Sequence, residues 1–226
     1  MSVAAKICGL SSPEGVAAAV AGGAAFLGFV FYPPSPRHVA PERAAALAAA
    51  APPGIARVGL FVDADDDAIA RTLAAAPLDM LQLHGKESPE RVAAVRAKFG
   101  RQVMKAVPIA EAADVAAAAP YLETADWLLF DARPPRRRDA LPGGNGLAFD
   151  WRLIAGRHWP KPWMLSGGLT AQNLAEAVRL AGAPAVDVSS GVESAPGVKD
   201  PALIAAFLGV AASLGGTAGA RARSRP

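Results

Sequence analysis

The segment ICGLSSPEG, residues 7–15, decides between two fold classes. It joins a short apolar run to a helix start, with Ser12 placed as the cap and Pro13 at the first helical position. A strand passing directly into a helix is the basic joint of an α/β protein. In a doubly wound open sheet the first such joint often carries a G-x-G-x-x-G turn, and this one does not. The other solution is a closed barrel of strand–helix units, in which the same joint must recur along the whole chain.

It does recur. Apolar runs start near Ala4, Phe26, Arg57, Leu78, Gln102, Asp126, Pro162 and Ala185, and read ICGL, FLGFVF, VGLFV, DMLQL, VMKAV, WLLFD, WMLSG and VDVSS. Several are apolar on successive residues, the pattern of strands buried on both faces. Their spacing of about 20 to 35 residues leaves room for one helix after each. Ser88-Pro89 opens a helix with Val92, Val95 and Phe99 on one face and Gly100 as its stop. Asp65, Asp66 and Asp67 place negative charge at the start of another, where Ile69 and Leu73 share a face. Thr170 is expected to cap a helix carrying Leu174, Ala177, Val178 and Ala181, stopped by Gly182 and Pro184. Asp200-Pro201 opens the last helix, with Leu203, Ile204, Phe207 and Leu208 facing the core. The expected fold is α/β, a single-domain (βα)8 TIM barrel over residues 1–214, followed by a disordered basic tail over 215–226. The longest irregular stretch, 132–147, is rich in Pro, Arg and Gly, and long loops within compact domains are often functional.

Bulk composition narrows the function classes. A chain of 226 residues, 52% apolar, suits one domain with a sizeable core. The most apolar stretch, 16–31, is broken by glycines, so no membrane span is expected. The start, MSVAAKICGL, lacks the basic region and long apolar core of a signal peptide, and a cytoplasmic location is expected. Net charge is +3, and Arg221, Arg223 and Arg225 in the tail account for it, leaving a neutral body. That balance argues against a nucleic-acid partner. Arg136, Arg137 and Arg138 read either as a solvated loop or as an aid in attracting an anion. The single cysteine cannot form an internal disulfide or a cysteine zinc site, and His38, His84 and His158 lack metal-ligand spacing. No metal and no cofactor are expected. The partner expected is a small-molecule substrate, with the protein a monomer or a homodimer.

In a barrel of this kind the chemistry lies at the C-terminal strand ends. Those positions hold Lys6 and Cys8, Arg37 just past the second run, Asp63, Gln82 and His84, Lys105, and Asp131. The seventh run ends in Ser166-Gly167-Gly168, and the eighth holds Asp187 and ends in Ser189, Ser190 and Gly191. The last two groups read as a phosphate site, because glycine lets backbone N–H groups approach an anion closely. Taken alone, Cys8 is more often a packed hydrophobe, and His84 and Gln82 are more often structural. Arg37 is a surface residue or an anion contact. Asp131 ends an otherwise apolar run, which is costly unless the acid is paired or functional.

Seven segments in order resemble the phosphoribosylanthranilate isomerase family: KICGL (6–10), FYPPSPRHV (31–39), VGLFVD (58–63), LQLHGKE (81–87), PGGNGLAFDW (142–151), SGGLTAQN (166–173) and VDVSSGVESAPGVKD (186–200). The resemblance implies a cofactor-independent Amadori rearrangement in tryptophan biosynthesis, from N-(5-phosphoribosyl)anthranilate to 1-(o-carboxyphenylamino)-1-deoxyribulose 5-phosphate. It implies Cys8 as general base, Asp131 as general acid and Arg37 at the anthranilate end. Gln82, His84 and Asp187 are carried over as substrate contacts, and Gly144, Gly167, Gly168, Ser189, Ser190 and Gly191 as phosphate contacts. Asn145 stands where many members carry Thr or Ser, and Pro33 and Pro34 stiffen the approach to Arg37. The related barrel of histidine biosynthesis is expected to use Asp at the first strand, so Cys8 argues against it. A ribulose-phosphate epimerase-like barrel normally needs metal-binding histidines that this sequence lacks. A sugar-phosphate-binding barrel without chemistry would have lost Cys8 or Asp131.

Overall fold

The computed structural model describes residues 3–135 and 141–214. The readings of Arg136–Arg138 and of the 215–226 tail lie outside the described residues. Eight parallel strands close into a barrel, each hydrogen-bonded to the next and β8 to β1. They are β1 (Ala4–Cys8), β2 (Phe26–Val30), β3 (Ala56–Phe61), β4 (Met80–Leu83), β5 (Gln102–Ile109), β6 (Trp127–Ala132), β7 (Trp163–Leu165) and β8 (Ala185–Val188). The surrounding helices are α1 (Pro13–Ala21), α2 (Pro41–Ala48), α3 (Asp66–Ala75), α4 (Pro89–Phe99), α5 (Ala112–Ala116), α6 (Leu174–Ala181) and α7 (Pro201–Leu214). None of the described helices is long and apolar enough to cross a membrane.

Local chemistry accounts for most helix ends. The side chains of Ser12, Asp65 and Ser88 accept hydrogen bonds from the backbone N–H groups of Gly15, Ala68 and Arg91. Gly100 and Gly182 end α4 and α6 in the left-handed conformation, which glycine adopts without steric cost. Asp200 Oδ1 accepts from the N–H groups of Ala202 and Leu203 at the start of α7.

Two elements differ from expectation. Thr170 does not cap α6; the helix begins at Leu174, with Asn173 at the cap position and its Oδ1 accepting from the Thr170 N–H. The chain spends 171–173 in a turn first, so the cap lies one turn later than Thr170 suggests. No α-helix lies between β6 and β7 among the described residues; a 3-10 turn, Trp151–Ile154, stands there. Aromatic packing covers the outside of β6 instead, with Phe130 against Trp159 and Trp163 at ring-centroid distances of 4.7 and 5.5 Å.

The core has two parts. The larger one lies between the strands and the helices and includes Ile7, Leu27, Phe29, Phe61, Leu81, Phe130 and Phe207. A smaller one fills the barrel from within, formed by Phe26, Val58, Met80, Met104, Ala106, Leu129, Met164 and Ala185. Because strand side chains alternate in direction, each inner apolar residue is followed two positions later by the next inner residue.

Candidate active site

That alternation builds the site. The inward series run Ala4–Lys6–Cys8 on β1, Met80–Gln82–His84 through β4, Leu129–Asp131 on β6 and Ala185–Asp187–Ser189 through β8. Each begins small or apolar and becomes polar at its C-terminal end. The apolar layer therefore plugs the barrel, and the reactive groups stand on it, facing the mouth. A cleft opens there. Cys8, Arg37, His84, Asp131, Gly144, Ser166, Gly167, Gly168, Asp187, Ser189, Ser190 and Gly191 all line it.

On one side stands Cys8, 3% exposed. Lys6, fully buried, donates from Nζ to Asp187 Oδ1 at 2.9 Å, and Ser166 donates to Asp187 Oδ2 at 3.2 Å. Gly28 on the neighbouring strand leaves room for this cluster: a Cβ there would meet Lys6 Nζ at 3.1 Å and Cys8 Sγ at 3.2 Å. Burial pushes the Cys8 thiol above its ordinary range, and Lys6 opposes the shift without cancelling it. Burial disfavours the Lys6 charge, but Asp187 and Cys8 outweigh it and raise its pKa. Asp187 reaches the cleft wall with its carboxylate already engaged by Lys6 and Ser166.

On the other side stands Asp131, 6% exposed. Its Oδ1 accepts from the Ala132 N–H at 2.9 Å, and its Oδ2 lies 3.1 Å from His84 Nε2. Gln82 donates its amide to His84 Nδ1 at 2.8 Å, which puts the ring proton on Nε2, toward Asp131. Gln82 is itself fully buried beneath His84 and is not part of the cleft lining. Lys105 and Asp63 also stand away from the cleft. Lys105 faces the helix layer and is held by Glu87 at 2.6 Å and by the Gly85 carbonyl at 2.7 Å. Asp63 accepts from the Lys86 N–H at 2.6 Å, and its own N–H donates to Glu87 at 2.9 Å. Together they brace the loop that carries His84.

The loops after β7 and β8 form a cup. A methyl group on Gly191 would collide with the Leu169 carbonyl oxygen, and one on Gly168 would press on Leu147 and Ala148. The glycines therefore let the 142–148, 166–169 and 189–191 segments approach one another closely. Ser189 donates to the Cys8 carbonyl at 3.1 Å, tying this cup to the end of β1. Arg37 enters from the β2 side, 5% exposed. Its Nη2 donates to the Gly144 carbonyl at 3.2 Å.

The sequence and the backbone both have close counterparts. The model of the N-(5'-phosphoribosyl)anthranilate isomerase family matches residues 5–210. The chain belongs to that family. It is 63% identical over 214 residues to the N-(5'-phosphoribosyl)anthranilate isomerase of Rhodospirillum centenum, covering 95% of this chain and 100% of that one. It is 60% identical over 209 residues to the one from Paracoccus denitrificans, covering 92% and 96%. The crystal structure of phosphoribosyl anthranilate isomerase from Thermotoga maritima superimposes with a TM-score of 0.83 at 36% identity, over 92% of this chain and 98% of that one. A phosphoribosyl anthranilate isomerase bound to reduced 1-(o-carboxyphenylamino)-1-deoxyribulose 5-phosphate superimposes with a TM-score of 0.77 at 34% identity, over the same shares.

The sequence reading of this family member missed one group. After β8 the chain makes a small antiparallel hairpin, β9 (Glu193–Ala195) and β10 (Val198–Lys199). Glu193 and Lys199 on it are buried ion partners, with side chains 4% and 1% exposed. A buried Arg37 requires an anion beside it, but nothing local to SPRHV names one 156 residues away.

Proposed function

We propose that this chain converts N-(5-phosphoribosyl)anthranilate to 1-(o-carboxyphenylamino)-1-deoxyribulose 5-phosphate, with Asp131 as acid and Cys8 as base. The observation that carries this is the meeting of Cys8 and Asp131, from opposite sides of the barrel, in one cleft whose rim is a glycine-built cup. An acid and a base in one cleft suit a reaction that delivers one proton and removes another.

The cup takes the phosphate and fixes the ribose over the two groups. Asp131 donates its proton to the ribose ring oxygen as the C1′–O bond breaks, and the anilino nitrogen forms a Schiff base with C1′. His84 Nε2, at 3.1 Å from Oδ2, holds the Asp131 carboxyl in its orientation toward the cleft. The Cys8 thiolate removes the proton from C2′, and those electrons form the enolamine. Tautomerisation, with C1′ gaining a proton as the C2′ hydroxyl loses one, then yields the aminoketone. The site supplies no redox change, since C1′ is reduced as C2′ is oxidised within one molecule. Arg37 faces the anthranilate end and contributes binding more than chemistry. Placement of both groups against a held substrate is where much of the acceleration arises, on the order of 7–11 kcal/mol in ideal cases.

A fluorescence assay with phosphoribosylanthranilate, run beside the corresponding histidine-pathway substrate, tests the reading. Rapid loss of the anthranilate substrate with little action on the other is expected. A preference for the histidine-pathway substrate would overturn the assignment.

A further inference from the structure

The mechanism above leaves the β9–β10 hairpin unused, yet it holds a dense buried charge cluster at the edge of the cleft. Glu193 takes Arg37 in a two-pronged pair, Oε1 from Nε at 2.7 Å and Oε2 from Nη2 at 2.9 Å. The same Oε1 accepts from Lys199 Nζ at 2.7 Å. Lys199 also donates to the Ser189 carbonyl at 2.8 Å and its hydroxyl at 3.3 Å. Arg37 packs its stem on Gly9, whose positive φ of +80° and missing Cβ admit it. Among the described residues Arg37 Nη1 has no hydrogen-bond partner, so one edge of the guanidinium remains for a ligand.

We infer that Glu193 and Lys199 are positioning residues that lock the Arg37 guanidinium and the Ser189 turn into one rigid unit. The anthranilate-side arm and the phosphate-side turn are thereby held at a fixed separation. Glu193 is shared between Arg37 and Lys199, so one carboxylate faces two basic groups. A planar guanidinium gripped on its Nε edge offers a single remaining prong, which sets its direction as well as its charge. This rests on the reading of Arg37 as a substrate-anion contact.

The test is steady-state kinetics with phosphoribosylanthranilate and competition by inorganic phosphate, on R37Q, E193Q, the R37Q/E193Q double and K199M. The double leaves no unpaired Arg37 charge, so the comparison with R37Q survives if E193Q alone unfolds by circular dichroism. E193Q is expected to raise KM about tenfold with kcat within about threefold, the sign of lost binding rather than lost chemistry. The double is expected within about twofold of R37Q, because both substitutions remove one interaction. K199M is expected to raise the inhibition constant of inorganic phosphate about tenfold, and E193Q to raise it by less, because Lys199 loses one anchor but keeps its two bonds to Ser189. Multiplying effects of R37Q and E193Q in the double would overturn the Glu193 role. An unchanged phosphate constant in K199M would overturn the Lys199 role. An unchanged KM in R37Q would instead overturn the reading of Arg37 itself.

Discussion

Cys8 works against its own surroundings. In the proposed role as base Cys8 must be a thiolate, yet burial favours the protonated thiol, and Lys6 offsets this only in part. The sign follows directly. A pKa above the ordinary thiol value means the thiolate fraction grows tenfold per pH unit across the neutral range, and kcat/KM should rise with it. Cys8 is the single cysteine, so alkylation by iodoacetamide reads it alone. Its rate should show a midpoint above the free-thiol value of roughly 8.5. A midpoint below neutrality would mean that the cations around Cys8 outweigh its burial. Part of this was legible in KICGL, where Lys6 and Cys8 share a face two residues apart. Asp187, 181 positions away in sequence, reaches Lys6 only through barrel closure, so no local pattern could reveal it.

At the scale of elements, the strands were readable because double-sided burial leaves a strong apolar signal, and every expected start lies within two residues of the observed one. Helix starts were readable where Ser, Asp and Pro sit directly at the joint. The α6 start was not, because SGGLTAQN offers two capping residues and only the path of the glycine turn selects Asn173. The 3-10 turn that stands in place of a helix after β6 among the described residues, and the β9–β10 hairpin, were invisible, since both depend on packing against distant segments. The cup makes a prediction at this scale. Gly191→Ala forces a methyl into the Leu169 carbonyl and must move the turn. It should cost about 1–3 kcal/mol of stability. It should also weaken competition by inorganic phosphate about tenfold, roughly 1.4 kcal/mol. Thermal unfolding and phosphate inhibition measure the two effects, and an unchanged inhibition constant would place the phosphate elsewhere.

For the whole molecule, the barrel closes where β8 meets β1, and Lys6 and Asp187 are register partners across that seam. Their ion pair is buried, with side chains 0% and 5% exposed. Asp187→Asn strands the Lys6 charge in the barrel interior and should destabilise the fold by about 3–5 kcal/mol. The Lys6→Met/Asp187→Asn double removes both charges and should recover much of that loss. Denaturant midpoints of the two variants decide it; a double no more stable than the single would mean that the pair is not what holds the seam. The closed barrel itself was legible in the spacing of the apolar runs. The charged seam was not, since either residue alone reads equally as a cleft residue.

The division of labour between Cys8 and Asp131 is the central claim, and turnover of phosphoribosylanthranilate by Cys8→Ala and Asp131→Asn tests it most directly. Both variants should fold and bind, and each should lose on the order of 10²–10⁴ in kcat, the usual contribution of a positioned acid or base. Turnover near that of the unsubstituted protein in both variants would contradict the account.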